Sequence, residues 1–459
     1  MTKTEQYAAQ HRERHLEELK ELLRIPSIST LSEHKGDVTR CAQWLSEALT
    51  DSGLEHAEVM QTAGHPIVYA DWLHAPGKPT LLIYGHYDVQ PADPLEQWDS
   101  PPFEPEIRDG KIYARGATDD KAQLWIHVKA AETILKTAGT LPLNLKFILE
   151  GEEEITSPSL APFIQQHADK LKADAVIISD TPMLEKGKPA LIYGLRGVAG
   201  VEISVQAAKN DLHSGLYGGG VPNAVHALVS LLGSLHDEKG RVAVEGFYDR
   251  IVTLTEKERE ELGRVGQNEE KIRKDLELSE LYGEEGYTFT ERTTARPTLE
   301  ITGITGGFAG EGIKPIVPAQ AKAKIACRLV ADQRPEEIME LIEKHVAAHT
   351  PPGVKASVTR ILQGNPFLTP TDHPIMVAAS DALKLAYGEQ TALTRGGGSI
   401  PIVDVFERLL KAPVVMMGFG LPDENLHAPN EHFDLDNFDK GLQTVTLFWD
   451  KLAASEKLC

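Results

Sequence analysis

His86 and Asp88, two residues apart in GHYDVQP at 85–91, pair an imidazole with a carboxylate. An imidazole can bind a metal ion through one ring nitrogen while a nearby carboxylate accepts the N–H of the other and fixes the ring. Asp119 and Asp120 stand where the next helical pattern begins, and Glu152, Glu153 and Glu154 follow an apolar run. Three adjacent acids repel one another unless cations or solvent compensate. Asp180 closes a further apolar run, and His427 lies in the polar stretch LPDENLHAPNE. Histidines with carboxylates form a donor set for a divalent cation. One carboxylate bridging two cations about 3.5–4 Å apart is the pattern of two-metal hydrolases, and Asp119 is the bridging candidate. One glutamate of the run would then bind metal while its neighbour takes a proton from water.

Plainer readings stand beside these. A lone histidine is more often a hydrogen-bonded structural residue than a ligand, and Asp119 with Asp120 would serve as the N-cap and first-turn acid of a helix. The glutamates read equally as an exposed acidic loop, and Asp180 as the cap of a turn before Pro182. His127 and His226 fall within helix patterns and His373 precedes Pro374, so these three are read as structural. His213, in DLHSGLYGGGVPNA, and Ser399, in RGGGSIP, lie in glycine-rich polar stretches that expose rather than bury them.

The elements that must position these side chains form an α/β pattern. Leu81–Tyr84 reads as a short buried strand that stops at Gly85, LNLKFIL at 143–149 as a strand running into the glutamates, and AVIIS at 175–179 as a strand running into Asp180. Open α/β sheets bind ligands beyond the carboxyl ends of their strands, so these groups should share one rim. Leu16, Leu19 and Leu23, then Val38, Cys41, Leu45 and Leu49, mark two amphipathic helices ahead of the first strand, and a helix is expected from Lys121 to about Ala138. A helix from about Pro374, a strand at 413–417, the His427 loop and a final helix at 437–454 restore the α/β texture. Between them, strands at 200–206, 297–304 and 321–329 and helices at 224–235 and 335–348 suggest a compact α+β unit, and the charged stretch 255–274 a solvated helix or helix pair. The expected fold class is α/β: a mixed-sheet catalytic domain built from 1–195 and 369–459, interrupted at 196–368 by a smaller α+β lid domain.

At 459 residues the chain exceeds the usual ceiling for one hydrophobic core. Its formal net charge of -21 and lack of basic runs argue against a nucleic-acid partner. No apolar run approaches the ~20 residues of a membrane span. The first 23 residues are charged throughout, unlike a secretory signal. Cys41, Cys327 and Cys459 are scattered and odd in number, which suits a reducing compartment and offers no cysteine metal site. A cytoplasmic protein is the expectation. Serine or cysteine catalysis is disfavoured, since no nucleophile sits in a GxSxG-type elbow.

Taken together, GHYDVQP, ARGATDDKA (114–122), LEGEEE (149–154), SDTPM (179–183) and the His427 loop resemble the ArgE/DapE-type di-metal metallopeptidase family. YGLRG (193–197), the His213 loop, CRLV (327–330) and GGSIP (397–401) resemble its dipeptidase branch in particular, which extends the resemblance over nearly the full length. The resemblance implies two divalent cations per subunit, one held by His86, Asp119 and Asp180 and the other by Asp119, Glu154 and His427; zinc suits this His/carboxylate donor set, and Mn2+ or Co2+ would fit the same cage. It implies Glu153 as general base, Asp88 as the orienting acid, and His213, Arg328 and Ser399 as substrate-binding residues. It also implies a homodimer formed through the lid domain, with His213 reaching the partner subunit's site. Ala122 and Pro315 depart from the family pattern, which usually has glycine at the first and in this branch often threonine at the second. The expected activity is hydrolysis of dipeptides or other small peptides. The alternatives are an N-acyl amino acid deacylase on the same centre and a catalytically silent metal-binding scaffold.

Overall fold

The computed structural model describes residues 2–398 and 400–455, and divides them into two compact units. The first comprises the chain up to Tyr193, Thr369–Thr394 and the part from Val405 onward; the second comprises Gly194–Leu368 with Arg395–Asp404. That last short segment joins the second unit because Gly396 and Gly397 accept hydrogen bonds from the backbone N–H and the Nε of Arg196 (3.3 and 2.9 Å), and Arg395 pairs with Glu258.

The first unit is built on a mixed sheet whose strands lie in the order Glu55–Met60, Ile67–Trp72, Asn144–Glu150, Thr80–His86, Ala175–Ile178, Val414–Met416 and Ala190–Leu195. The four from Asn144–Glu150 to Val414–Met416 are parallel neighbours, and antiparallel strands flank them on both sides. These central strands are apolar and buried along nearly their whole length, as strands covered on both faces must be. Helix Ala122–Ala138 is buried on every side from Ala122 to Ile134, and packs against Lys3–Leu23 and Leu435–Ala454. Several of its interior polar groups find partners: Gln123 accepts from Phe419 N (2.7 Å), Lys129 pairs with Glu132 and Glu18 (2.6 and 2.7 Å), and His127 bonds Ser179 Oγ (2.7 Å). Helix Lys35–Asp51 presents Val38, Cys41, Ala42, Leu45 and Leu49 to the core and covers the sheet's first two strands.

Of the histidines read as structural, His373 caps helix Pro374–Tyr387 by accepting from Ile375 N, and His226 is exposed on helix Ala224–Gly233. His127 is enclosed, and burial pushes its ring down to about 3. The unfolded chain therefore takes up this proton first as pH falls. The stability that depends on a neutral ring is complete above the ordinary value of about 6.5 and is lost between there and about pH 3, an effect on the order of 3–5 kcal/mol. Urea unfolding of the wild type should show a steep acid limb from pH 6.5 down to 4, and His127→Asn a shallower one; equal slopes would refute this origin.

In the second unit, Thr298–Gly306, Gln320–Leu329, Gly197–Gln206 and Lys355–Gly364 form an antiparallel sheet in that order. Gln320–Leu329 alternates as a half-buried strand should, with Ala321, Ala323, Ile325, Cys327 and Leu329 inward, against helices Ala224–Gly233 and Pro335–His349. The charged stretch is a helix pair, Glu256–Val265 and Glu269–Asp275, capped by Thr255 and Asn268.

Candidate metal centre

Strand register brings the chemistry to one edge of the first unit. His86 lies opposite Glu150 on one neighbouring strand, while Tyr84 lies opposite Ile178 on the other, so Asp180 emerges level with His86. Gly418 lets the returning chain pass close to this rim, since a Cβ there would sit 1.7 Å from Thr181 O. The same approach lets Met183 N donate to Gly420 O (2.8 Å), which secures the turn after Asp180.

Two groups of three potential ligands form on this rim, His86 with Asp119 and Asp180, and Asp119 with Glu154 and His427. Asp119 belongs to both: its Oδ1 meets His86 Nε2 at 3.0 Å and its Oδ2 meets His427 Nε2 at 2.9 Å. Asp180 Oδ2 stands 3.7 Å from His86 Nε2, and Glu154 Oε2 stands 3.3 Å from His427 Nε2. On its other side, His86 Nδ1 lies 3.1 Å from the Asp88 carbonyl oxygen and 3.5 Å from its carboxylate. The Asp88 carboxylate accepts the backbone N–H groups of Glu153 and Glu154, both at 3.1 Å. Asp88 thus ties the histidine strand to the glutamate turn.

Asp119 and Asp120 do not cap a helix. The N-cap of Ala122–Ala138 is Lys121, with no side-chain cap bond; Asp119 has non-helical angles (φ −121°, ψ 89°), and its peptide to Asp120 is cis. Asp120 instead accepts from His86 N (3.2 Å). The turn is held from below by Glu431, which sequence reasoning missed. Its carboxylate accepts from Gly116 N, Thr118 N, Asp119 N and Arg115 Nη1 at 3.0, 3.0, 3.2 and 2.6 Å. Glu424 adds a second brace through Thr118 Oγ1 (2.6 Å), and Gln90, also missed, donates to Glu154 Oε2 (2.7 Å). Burial raises Glu431 and Glu424 to about 7 each. The His427 loop is tied to the segment that follows the His86 strand by Asn430, which accepts from Asp99 N (2.9 Å) and donates to Gln97 O (3.1 Å).

The electrostatics fit a cation. Burial opposes charge on His86, but the carboxylates of Asp119, Asp88 and Asp180 outweigh it and hold the ring well above its ordinary value. Hydrogen bonds to Asp119 and Glu154 raise His427 to about 10. Burial, then the charge of Asp119, raises Asp180, and burial raises Glu153. The rim carries more carboxylate than its histidines neutralise, and divalent cations relieve that excess. A third group of the same residue types, Glu55, His56 and Asp71, lies on the antiparallel hairpin Glu55–Met60/Ile67–Trp72. There Asp71 is bound by His56 and Tyr69 (2.8 and 2.7 Å) and Glu55 by His74 (2.8 Å).

His213 and Arg328 belong to the second unit. His213 is exposed at the start of the short helix Ser214–Tyr217, its Nδ1 accepting from Gly215 N (3.0 Å). Arg328 is half-buried on Gln320–Leu329, and its charge, after burial, helps lower Arg196 to about 10. Ser399 lies outside the described residues.

A mixed α/β sheet with imidazoles and carboxylates gathered beyond its parallel strand ends defines a metal-dependent hydrolase. The chain belongs to peptidase family M20/M25/M40, which it matches over residues 82–451, and is a metallopeptidase. It is 32% identical over 446 residues to the Cys-Gly metallodipeptidase dug1 of Schizosaccharomyces pombe, covering 94% of each chain. It is 31% identical over 393 residues to the Beta-Ala-His dipeptidase of Mus musculus, covering 84% of this chain and 80% of that one. The crystal structure of the M20 family metallo-carboxypeptidase Sso-CP2 from Sulfolobus solfataricus superposes with a TM-score of 0.77 at 34% identity, covering 96% of this chain and 99% of that one. Among the described residues, no helix is long and apolar enough to cross a membrane.

Proposed function

We propose that the protein hydrolyses the peptide bond of dipeptides or other small peptides with two divalent cations, one held by His86, Asp119 and Asp180 and the other by Asp119, Glu154 and His427. The observation that carries this reading is the single Asp119 carboxylate, which offers one oxygen to each of two His/carboxylate groups. When bound, such ions polarise the scissile carbonyl and acidify water. Zinc suits the donor set, and manganese or cobalt would fit it too. Glu153 is the general base: its backbone is fixed by Asp88, and burial raises its carboxyl toward the working pH. It takes a proton from the attacking water and returns it to the leaving amine. Asp88 orients both His86 and the glutamate turn.

The named relatives act on Cys-Gly and β-Ala-His dipeptides or as a carboxypeptidase, and substrates of all three kinds end in a free carboxylate. Arg328 is suited to bind that group, since guanidinium pairs with carboxylate in a planar, bidentate manner. His213 and Ser399 complete the substrate contacts, and Pro315 argues against carnosine-like selectivity. The unit at 196–368 acts as a lid and homodimerisation domain in a cytoplasmic enzyme; Ile304, Ile361 and Leu362 on its sheet are 57%, 53% and 53% exposed. The test is a panel of Cys-Gly, β-Ala-His and apolar dipeptides against N-acetyl and N-succinyl amino acids, with and without chelator. Dipeptides should be cleaved only by the metal-loaded protein. Turnover confined to N-acyl amino acids, or stoichiometric metal with no amide hydrolysis at all, would overturn the proposal.

A further inference from the structure

The segment after the His86 strand end alternates. Tyr87 and Val89 are fully buried, with Tyr87 N donating to Glu150 O (2.9 Å) and Val89 N to Ser27 O (3.0 Å). Backbone bonded in this way stays extended, so residues two apart share a face. His86, Asp88 and Gln90 share the other face, which is also buried at His86 and Asp88, and each meets the metal rim differently. His86 meets Asp119 and Asp180, Asp88 takes the N–H groups of Glu153 and Glu154, and Gln90 reaches Glu154 itself.

The Gln90 amide nitrogen lies 2.7 Å from Glu154 Oε2 and 3.3 Å from the Glu154 carbonyl oxygen. Both partners are acceptors, so the amide must present its NH2 group. Held at both ends of one residue, the Glu154 side chain is fixed relative to its own backbone. Oε2 is also the oxygen 3.3 Å from His427 Nε2. A carboxylate oxygen has two acceptor positions; the amide fills one and leaves the other for a cation. A lysine at this position would compete with the cation for the carboxylate's charge, and a glutamate would repel the carboxylate. A neutral donor does neither.

We infer that Gln90 is a positioning residue that holds Glu154 as ligand to the cation shared with Asp119 and His427; this rests on the two-metal reading above. Losing an outer partner of a metal ligand typically weakens metal binding about 10–100-fold. The experiment titrates Zn2+ into chelator-stripped protein against a competing indicator, and measures the Tm of the metal-free forms. Wild type should bind two ions, and Glu154→Gln one. Gln90→Met, similar in length but without a donor, should bind one ion as wild type and the other about 10–100-fold more weakly, with the metal-free Tm unchanged. Gln90→Asn, one methylene short, should weaken the same ion and serves if the Met variant does not fold. Two ions bound at wild-type affinity by the Gln90 variants, while Glu154→Gln loses one, would overturn the Gln90 assignment alone, as would a lowered metal-free Tm with unchanged affinities. A wild type that takes a single ion, or Glu154→Gln that keeps both, would overturn the centre and Gln90 with it.

Discussion

Glu153→Gln is expected to keep both metal ions and to lower kcat by about 10²–10⁴-fold, the usual contribution of a positioned general base. The amide replaces the carboxylate with little change in size, and the backbone N–H of residue 153 still donates to Asp88 at 3.1 Å, so the turn that presents Glu154 stays in place. What is lost is the ability to accept a proton. Burial raises Glu153, with Glu154, Asp119 and Asp88 adding to the effect and His86 opposing it, which brings the carboxyl nearer to the pH at which a base works best. Metal content by elemental analysis and kcat on a cleaved dipeptide are the two measurements. Undiminished turnover would reject the base assignment, and lost metal would place Glu153 among the ligands instead.

Asp119→Asn should be more damaging, with both ions released and turnover below detection. Its two oxygens serve different histidines, so neutralising this one side chain weakens both groups at once. The loss should exceed the roughly 10–100-fold seen when only an outer partner of a ligand is removed. Asp180→Asn is the control, because Asp180 belongs to one group only, and it should cost one ion. If Asp119→Asn also costs one ion, the bridging role is wrong. The fold should survive, since the backbone N–H of residue 119 remains bound by Glu431.

Much of the rim was readable in the chain because each strand announced its own end. Leu81–Tyr84 runs apolar to Gly85, although the strand itself continues through Gly85 to His86, and Ala175–Ile178 is an apolar run that leads into Asp180; such short buried runs carry their meaning locally. The glutamate run was different. Glu152, Glu153 and Glu154 are chemically identical, and only folding separates them: Glu152 accepts from His65 N and Ser159 N, while Glu154 faces Gln90 and His427. Asp119 and Asp120 admitted a helix-capping reading beside the metal one because a helix does follow, yet neither caps it. Glu431 had no local signal at all. Its partners lie at 115–119, and nothing within APNEHFD distinguishes it from a surface acid.

The sequence alone determined the mixed α/β class, the family, and the stock of imidazoles and carboxylates at strand ends, because apolar runs, their periods and the residues that stop them are properties of neighbouring positions. Tertiary structure decided which carboxylate oxygen faces which histidine, and that Gln90, Glu424 and Glu431 brace the two groups. Those are relations between segments distant along the chain. They exist only once strand register and burial have brought the segments within hydrogen-bonding distance and removed the water that would otherwise satisfy them.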